Sequence, residues 1–272
     1  MSAKPRKEDG QGAIVSAYSP RIAGYFLKYL KKRFFPGTFH AVRLIGRENM
    51  PDPAKRPVII FMYHGSWWDP ISTMLMVDEL CPGVPLFGPM DAEMLNKYAF
   101  MRKIGAFPVE SDSKRGAVSF LRAAREVLSA PGRILSMTPQ GEFVDPRKRP
   151  IVFKPGVAHL ARDVPGAMLV PLAVEQVFWN EKKPELLLSL APAIEAAAHA
   201  DNSIEDWNTQ LQTALEVAMD ELAQTSIARD PDRFETLLLA QTGTSPVYDF
   251  GRWVKAKLTG KEFTSSHGGE NK

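Results

Sequence analysis

The residues best suited to chemistry in this chain are His64 and Asp69, in the segment Tyr63-His64-Gly65-Ser66-Trp67-Trp68-Asp69-Pro70. An imidazole titrating near neutrality can take a proton from an alcohol, while a carboxylate fixes its tautomer and stabilises the imidazolium. No serine nucleophile is then required. An H-x-x-x-x-D spacing is weak by itself, and Asp69 before Pro70 is also a helix-start signal, with Asp at the N-cap and Pro at N1. The two roles are compatible, because a tight strand-to-helix turn lets one carboxylate cap the helix and accept the imidazole N–H. Trp67 and Trp68 beside the pair either line a channel or simply pack in the core.

The pair must be held by the elements around it. His64 follows the apolar run Val58 to Met62, which puts it at the carboxyl end of a buried strand, where open α/β sheets place ligands. Ala41 to Ile45, Val58 to Tyr63, Val84 to Phe87, Arg133 to Met137, Met168 to Val174 and Leu186 to Leu190 read as strands. Helices are signalled over Ile71 to Leu80, Lys114 to Leu128 and Gly156 to Arg162. A long helix follows Ser203, where Asp206 completes a capping box and Ile204, Trp207, Leu211, Leu215, Ala218 and Leu222 form one stripe. This alternation implies an α/β fold, a mostly parallel central sheet flanked by helices on both faces.

Ahead of the sheet, Ile22, Tyr25, Phe26, Tyr29, Leu30 and Phe34 recur at helical spacing opposite Arg21, Lys28, Lys31 and Lys32, and Pro36-Gly37 ends the run. Such an N-terminal amphipathic helix either lies in a lipid headgroup region or docks on its own domain. The expected layout is a flexible tail over 1–15, a membrane-surface helix over 16–37, the main domain over 38–228, a C-terminal helical extension over 229–263 and a disordered tail over 264–272. Phe250, Trp253, Val254 and Leu258 belong to that extension.

The chain has 272 residues, 44% hydrophobic and 24% charged, with a formal charge of +3 and one cysteine, Cys81. That composition suits one domain with a substantial core and excludes an intramolecular disulfide. No Cys/His cluster has zinc spacing, no basic stretch carries the aromatic platform of a nucleic-acid binder, and no uncharged run is long enough to span a bilayer. The expectation is a peripheral membrane protein at the cytoplasmic face, with no nucleic-acid partner.

Four blocks follow one another in order: His64 to Asp69 after its strand, Gly105-Ala106-Phe107-Pro108-Val109-Glu110-Ser111 before the helix at Lys114, Thr138-Pro139-Gln140-Gly141-Glu142, and Val170-Pro171-Leu172. Over roughly residues 40 to 195 their order and spacing resemble the PlsC-like glycerolipid acyltransferases, the lysophospholipid acyltransferase family. The resemblance implies that His64 deprotonates an acceptor hydroxyl and that Asp69 orients it. The hydroxyl would attack the thioester of acyl-coenzyme A or acyl carrier protein, a co-substrate, with no metal or redox cofactor. It implies substrate-binding roles around Trp67, Trp68, Ser111, Lys114, Arg115, Pro139, Gln140, Gly141 and Glu142, and an oxyanion donor in the turn from Pro139 to Glu142.

Two departures from the family pattern bear on the acceptor. Ser111 stands where an arginine usually grips a phosphate, leaving Lys114 or Arg115 as a substitute. Gln140 replaces the acidic residue of the F-P-E-G-T-R block, and Glu142-Phe143 replaces its Thr-Arg. The expected acceptor is a lysophospholipid or another hydroxylated lipid. Arg147-Lys148-Arg149 and Lys154 read either as a contact for coenzyme A phosphates or an acidic carrier, or as a solvated loop. The alternatives from other classes are a thioesterase-like hydrolase and a non-catalytic lipid-binding scaffold.

Overall fold

A computed structural model describes residues 13–110 and 113–240. Its sheet contains β1 (Ala41–Ile45), β2 (Val58–Met62), β3 (Leu86–Asp91), β4 (Ala106–Val109), β5 (Ile134–Met137), β6 (Met168–Val177), β7 (Glu185–Leu190), β8 (Ile194–Glu195) and β9 (Glu235–Leu239). The order is β4-β3-β5-β2-β6-β7-β1-β9, with β8 added beside β6. Pairings from β4 through to β6 are parallel, as is β7 with β1, whereas β6 with β7 and β1 with β9 are antiparallel. The mostly parallel α/β architecture expected from the sequence is the one observed.

The helices are α1 (Ala13–Ala17), α2 (Pro20–Tyr29), α3 (Phe35–Thr38), α4 (Asp69–Leu80), α5 (Ala92–Lys97), α6 (Lys114–Leu128), α7 (Gly156–Asp163) and α8 (Ile204–Ile227). Strand β2 shows why both faces are covered. Its side chains alternate between two cores, Ile59 and Phe61 lying with residues of α6, α7 and α8, and Val58, Ile60 and Met62 with residues of α3 and α4. All five β2 residues are buried, so the strand is fixed from both sides and His64 leaves its carboxyl end in a defined direction. Ser203 and Asp206 form the expected capping box at the start of α8, and Trp207 in its first turn is fully buried.

Several elements differ from expectation. The N-terminal helix ends at Thr38, one residue past Pro36-Gly37, but it is not uniform: α2 passes through a π turn at Leu30–Phe34 into α3, where Pro36 occupies the first turn and needs no backbone N–H partner. The apolar stripe is divided, with Leu30 buried on the domain, Phe26 and Phe34 half-buried, and Ile22, Tyr25 and Tyr29 exposed, while Ala23 and Phe35 beside it are buried. Lys31, assigned to the outer face, pairs with Asp78 and Glu79 of α4. The strand expected at Val84 begins at Leu86, and the second sequence block contains a further strand, β4.

Residues after 229 were expected to be helical, yet Glu235–Leu239 forms strand β9, whose Leu237 and Leu238 pack on the α4-side core while its backbone pairs with the otherwise open edge of β1. Ser111 and the aromatic segment around Trp253 lie outside the described residues, as do the expected terminal tails up to residue 12 and over 264–272.

Candidate active site

The turn from β2 into α4 brings His64 and Asp69 together. His64 Nδ1 lies 3.0 Å from Asp69 Oδ2. With the carboxylate ionised, that contact puts the proton on Nδ1 and leaves Nε2 as the proton acceptor. The two side chains differ in access: the imidazole is 18% exposed and the carboxylate 3%. The imidazole is open to solvent while the carboxylate it contacts stays dry.

Asp69 does not cap the helix with its side chain. It is the first residue of α4, and its carboxylate turns back into the preceding loop, accepting the Ser66 N–H at 2.8 Å and the Ser66 hydroxyl at 2.9 Å. Ser66 Oγ in turn accepts the Trp68 N–H and the Gln176 side-chain N–H, at 3.1 and 2.7 Å. The loop is thus tied to both α4 and the sheet. Position at the helix N-terminus adds a favourable field for the buried negative charge. Hydrogen bonds to a charged acceptor each contribute about 1.5–3 kcal/mol, and this set holds the Asp69 carboxylate in one orientation. Ser66 and Gln176 carried no distinguishing local signal, because Gln176 comes from a strand distant in the chain.

The third sequence block forms the other wall. Gly141, at φ +71°, makes the turn after β5 and commits its N–H to Thr138 O at 3.1 Å. That N–H is spent on the turn, so of the turn's amides it is not the one left over for an oxyanion. The chain then crosses the end of β2, where Val144 N–H donates to His64 O at 2.9 Å and Tyr63 OH donates to Asp145 O at 2.7 Å. Phe143, delivered by this crossing, stacks on the imidazole with ring centroids 4.0 Å apart. Trp67, 65% exposed, stands 6.0 Å from Phe143 and extends the aromatic surface.

The remaining expected residues are distributed. Trp68 is half-buried, packs between Phe34 and Phe39 against the core, and ties the N-terminal helix to the site loop. Gln140 is buried, with neither side-chain amide atom hydrogen-bonded, while Pro139 is buried and Glu142 exposed. Lys114 and Arg115 are exposed in the first turn of α6. In the basic loop, Arg147 forks onto Asp145 at 2.9 and 2.6 Å, holding that carboxyl well below its ordinary range, and Arg149 pairs with Asp220 at 2.9 Å. Both arginines are committed within the protein.

A cavity of about 820 Å³ lies against this turn, bounded by Tyr63, Ser66 and Asp69 on one side and by Glu175 of β6 and Met219 and Leu222 of α8 on the other. Burial pushes the Glu175 carboxyl up, with partial relief from a hydrogen bond with Ser226.

An α/β sheet with a His–Asp pair at the carboxyl end of a central strand defines the class, and comparison defines the family. Residues 41–175 match the family model described as Acyltransferase. The fold resembles the crystal structure of the 1-acyl-sn-glycerophosphate (LPA) acyltransferase PlsC from Thermotoga maritima, with a TM-score of 0.52 and 16% identity over 75% of this chain and 81% of that one. No curated protein sequence matches the chain at a significant level. The chain belongs to the acyltransferase family and is PlsC-like in fold.

Proposed function

We propose that this acyltransferase moves a fatty acyl group from acyl-coenzyme A or acyl carrier protein to a hydroxyl of a lysophospholipid or related lipid. The observation that carries this reading is the 3.0 Å contact between His64 Nδ1 and the buried, fully partnered Asp69 carboxylate. His64 Nε2 takes the acceptor hydroxyl proton as the oxygen attacks the thioester carbonyl. The tetrahedral intermediate collapses with cleavage of the C–S bond, and the leaving thiolate receives the proton from the imidazolium. Asp69 stabilises that cation and is not itself protonated. General-base help of this kind contributes about 100- to 10,000-fold in rate. No metal or redox group takes part.

Acceptor recognition in this reading differs from that of a phosphate-gripping site. Phe143 offers an aromatic face where the family pattern has arginine, and Gln140 offers a neutral amide in place of an acid. The enzyme works as a peripheral protein on the cytoplasmic membrane face. Exposed Ile22, Tyr25 and Tyr29, with Phe100 packed beside Phe26, supply the apolar contact, and Arg21, Lys28, Lys32 and Arg33 supply the charge. Among the described residues no helix is long and apolar enough to cross a membrane.

Labelled acyl-coenzyme A incubated with lipid extract tests the reaction. Label is expected to enter lipid with the wild type and not with His64→Ala. Release of free fatty acid without acylated lipid would instead identify a hydrolase, and equal incorporation by the variant would remove His64 from the mechanism.

A further inference from the structure

The cavity against the His64–Asp69 turn bears on which acceptor fits. Gly65 and Ser66, the residues after His64, and Asp69 itself line it, so a headgroup lodged there lies directly beside the pair. Its apolar lining comes from β6 and α8, through residues such as Ala173, Met219 and Leu222. Its charges are unbalanced. Asp69, Asp145, Glu175, Glu216 and Asp220 face only Arg147 and Arg149.

The cations are spoken for. Arg147 is forked onto Asp145, and Arg149 binds Asp220 and the Pro146 carbonyl. Glu216 is occupied as well, accepting the Ile151 N–H. Glu175 is half-buried and bonds Ser226, but its Oε2 is buried with no hydrogen-bond partner. A desolvated carboxylate oxygen without a donor costs stability and is characteristic of places where a ligand supplies the donor. A dianionic phosphate monoester would meet this surplus of carboxylates without a free guanidinium to hold it, whereas an ammonium or hydroxyl would be complementary.

We infer that this cavity receives the acceptor's headgroup and selects one that donates hydrogen bonds, an ammonium or a polyol, with Glu175 as its anchor. The inference rests on the acyl-transfer reading and narrows its substrate class. A terminal phosphate monoester is disfavoured. Glu175 binds and positions; it does not touch the reacting carbonyl.

The test uses the full chain and palmitoyl-coenzyme A with three single-chain acceptors: lysophosphatidylethanolamine, lysophosphatidylglycerol and lysophosphatidic acid. At least one of the first two is expected to exceed lysophosphatidic acid in kcat/KM by about 10-fold, the scale of one hydrogen bond to a charged group. Glu175→Gln is expected to raise the KM for that acceptor by about 10-fold, while the KM for palmitoyl-coenzyme A stays unchanged. Preference for lysophosphatidic acid, or an unaltered acceptor KM in the variant, overturns the inference.

If the wild type acylates none of the three, the acyl-transfer reading fails with these acceptors and binding decides the cavity separately. Calorimetric titration with hexanoyl-lysophosphatidylethanolamine and hexanoyl-lysophosphatidylglycerol then supports the site if either shows a Kd about 10-fold weaker for Glu175→Gln than for wild type. Equal Kd values, or no binding by the wild type, refute it.

Discussion

Gln176, near the end of β6, donates its side-chain N–H to Ser66 Oγ at 2.7 Å, and the same hydroxyl donates to Asp69 Oδ1 at 2.9 Å. With the Trp68 N–H also received, the hydroxyl uses its one proton and both lone pairs. The orientation of the carboxylate behind His64 is thus set from a strand that is not its own. Ser66→Ala is expected to lower kcat by up to about 100-fold with little change in the KM for the acyl thioester, because a misdirected Asp69 misplaces the base. Gln176→Ala should act in the same direction and more weakly, and Ser66→Thr should restore most of the rate. Initial-rate kinetics check this, and a wild-type kcat in Ser66→Ala would show that the backbone N–H of residue 66 suffices.

Phe143 covers the imidazole at 4.0 Å and stands where the family pattern carries an arginine. Aromatic stacking contributes about 0.5–1.5 kcal/mol, so Phe143→Ala is expected to reduce kcat/KM by about 3- to 10-fold through loss of the ring's fixed tilt. Phe143→Arg should be asymmetric. It supplies the planar fork that a phosphate requires, and the relative kcat/KM for lysophosphatidic acid should rise against acceptors without a terminal phosphate. Competition between labelled acceptors measures that ratio; an unchanged ratio would mean that residue 143 does not face the headgroup.

Glu175 also predicts a pH effect on stability. Burial raises its folded-state pKa above the unfolded value, so the native protein binds the proton more tightly. Between the two pKa values the folded state carries more protons, and stability from this group falls as pH rises. Above the folded value the penalty is complete. Facing Glu175 around the cavity are Ser226, Glu216 and Asp220 from α8, Asp145, Arg147 and Arg149 from the crossing loop, and Asp69. In thermal melts Glu175→Gln is therefore expected to have a higher Tm than wild type at pH 8, with the difference shrinking as pH falls from the raised folded value to the unfolded carboxyl value and absent below it. A difference constant with pH would assign the effect to packing.

How far these features were legible in the sequence depended on how local they were. His64 at the end of β2 was legible, because a run of five apolar residues buried on both faces has no other destination in an alternating α/β chain. The bounds of α6 were legible too, whereas the burial of Gly116 and Ala123 was not. Small residues carry little hydrophobic signal, and Gly116 is dictated by proximity, since a Cβ there would come 1.9 Å from Glu110 O. Strand β9 was missed because its partner, β1, is far away in the chain and its five residues, Glu235 to Leu239, do not alternate polar with apolar, so pairing rather than periodicity makes it a strand. The replacement of Thr-Arg by Glu142-Phe143 was visible, but its meaning was not, because only the chain crossing at Val144 brings the ring onto His64.

The divided face of α2 gives the membrane proposal a sharp test. Lys28 and Lys32 are exposed, while Lys31 is held by Asp78 and Glu79. Each basic residue near an anionic surface contributes about 1 kcal/mol, so Lys28→Gln with Lys32→Gln should weaken partition onto anionic vesicles by about 30-fold. Binding to neutral vesicles should change little. Tyr25→Ser with Tyr29→Ser removes apolar contact and should weaken both. Lys31→Gln leaves Asp78 and Glu79 without their cation, so it should also weaken partition onto anionic vesicles and, unlike the other two lysine changes, lower thermal stability. Co-sedimentation with vesicles measures partition in each variant, and raised salt should erase the lysine effect but not the tyrosine effect. Unchanged partition in the double lysine variant would mean that α2 faces the protein's own surroundings and not a lipid headgroup layer.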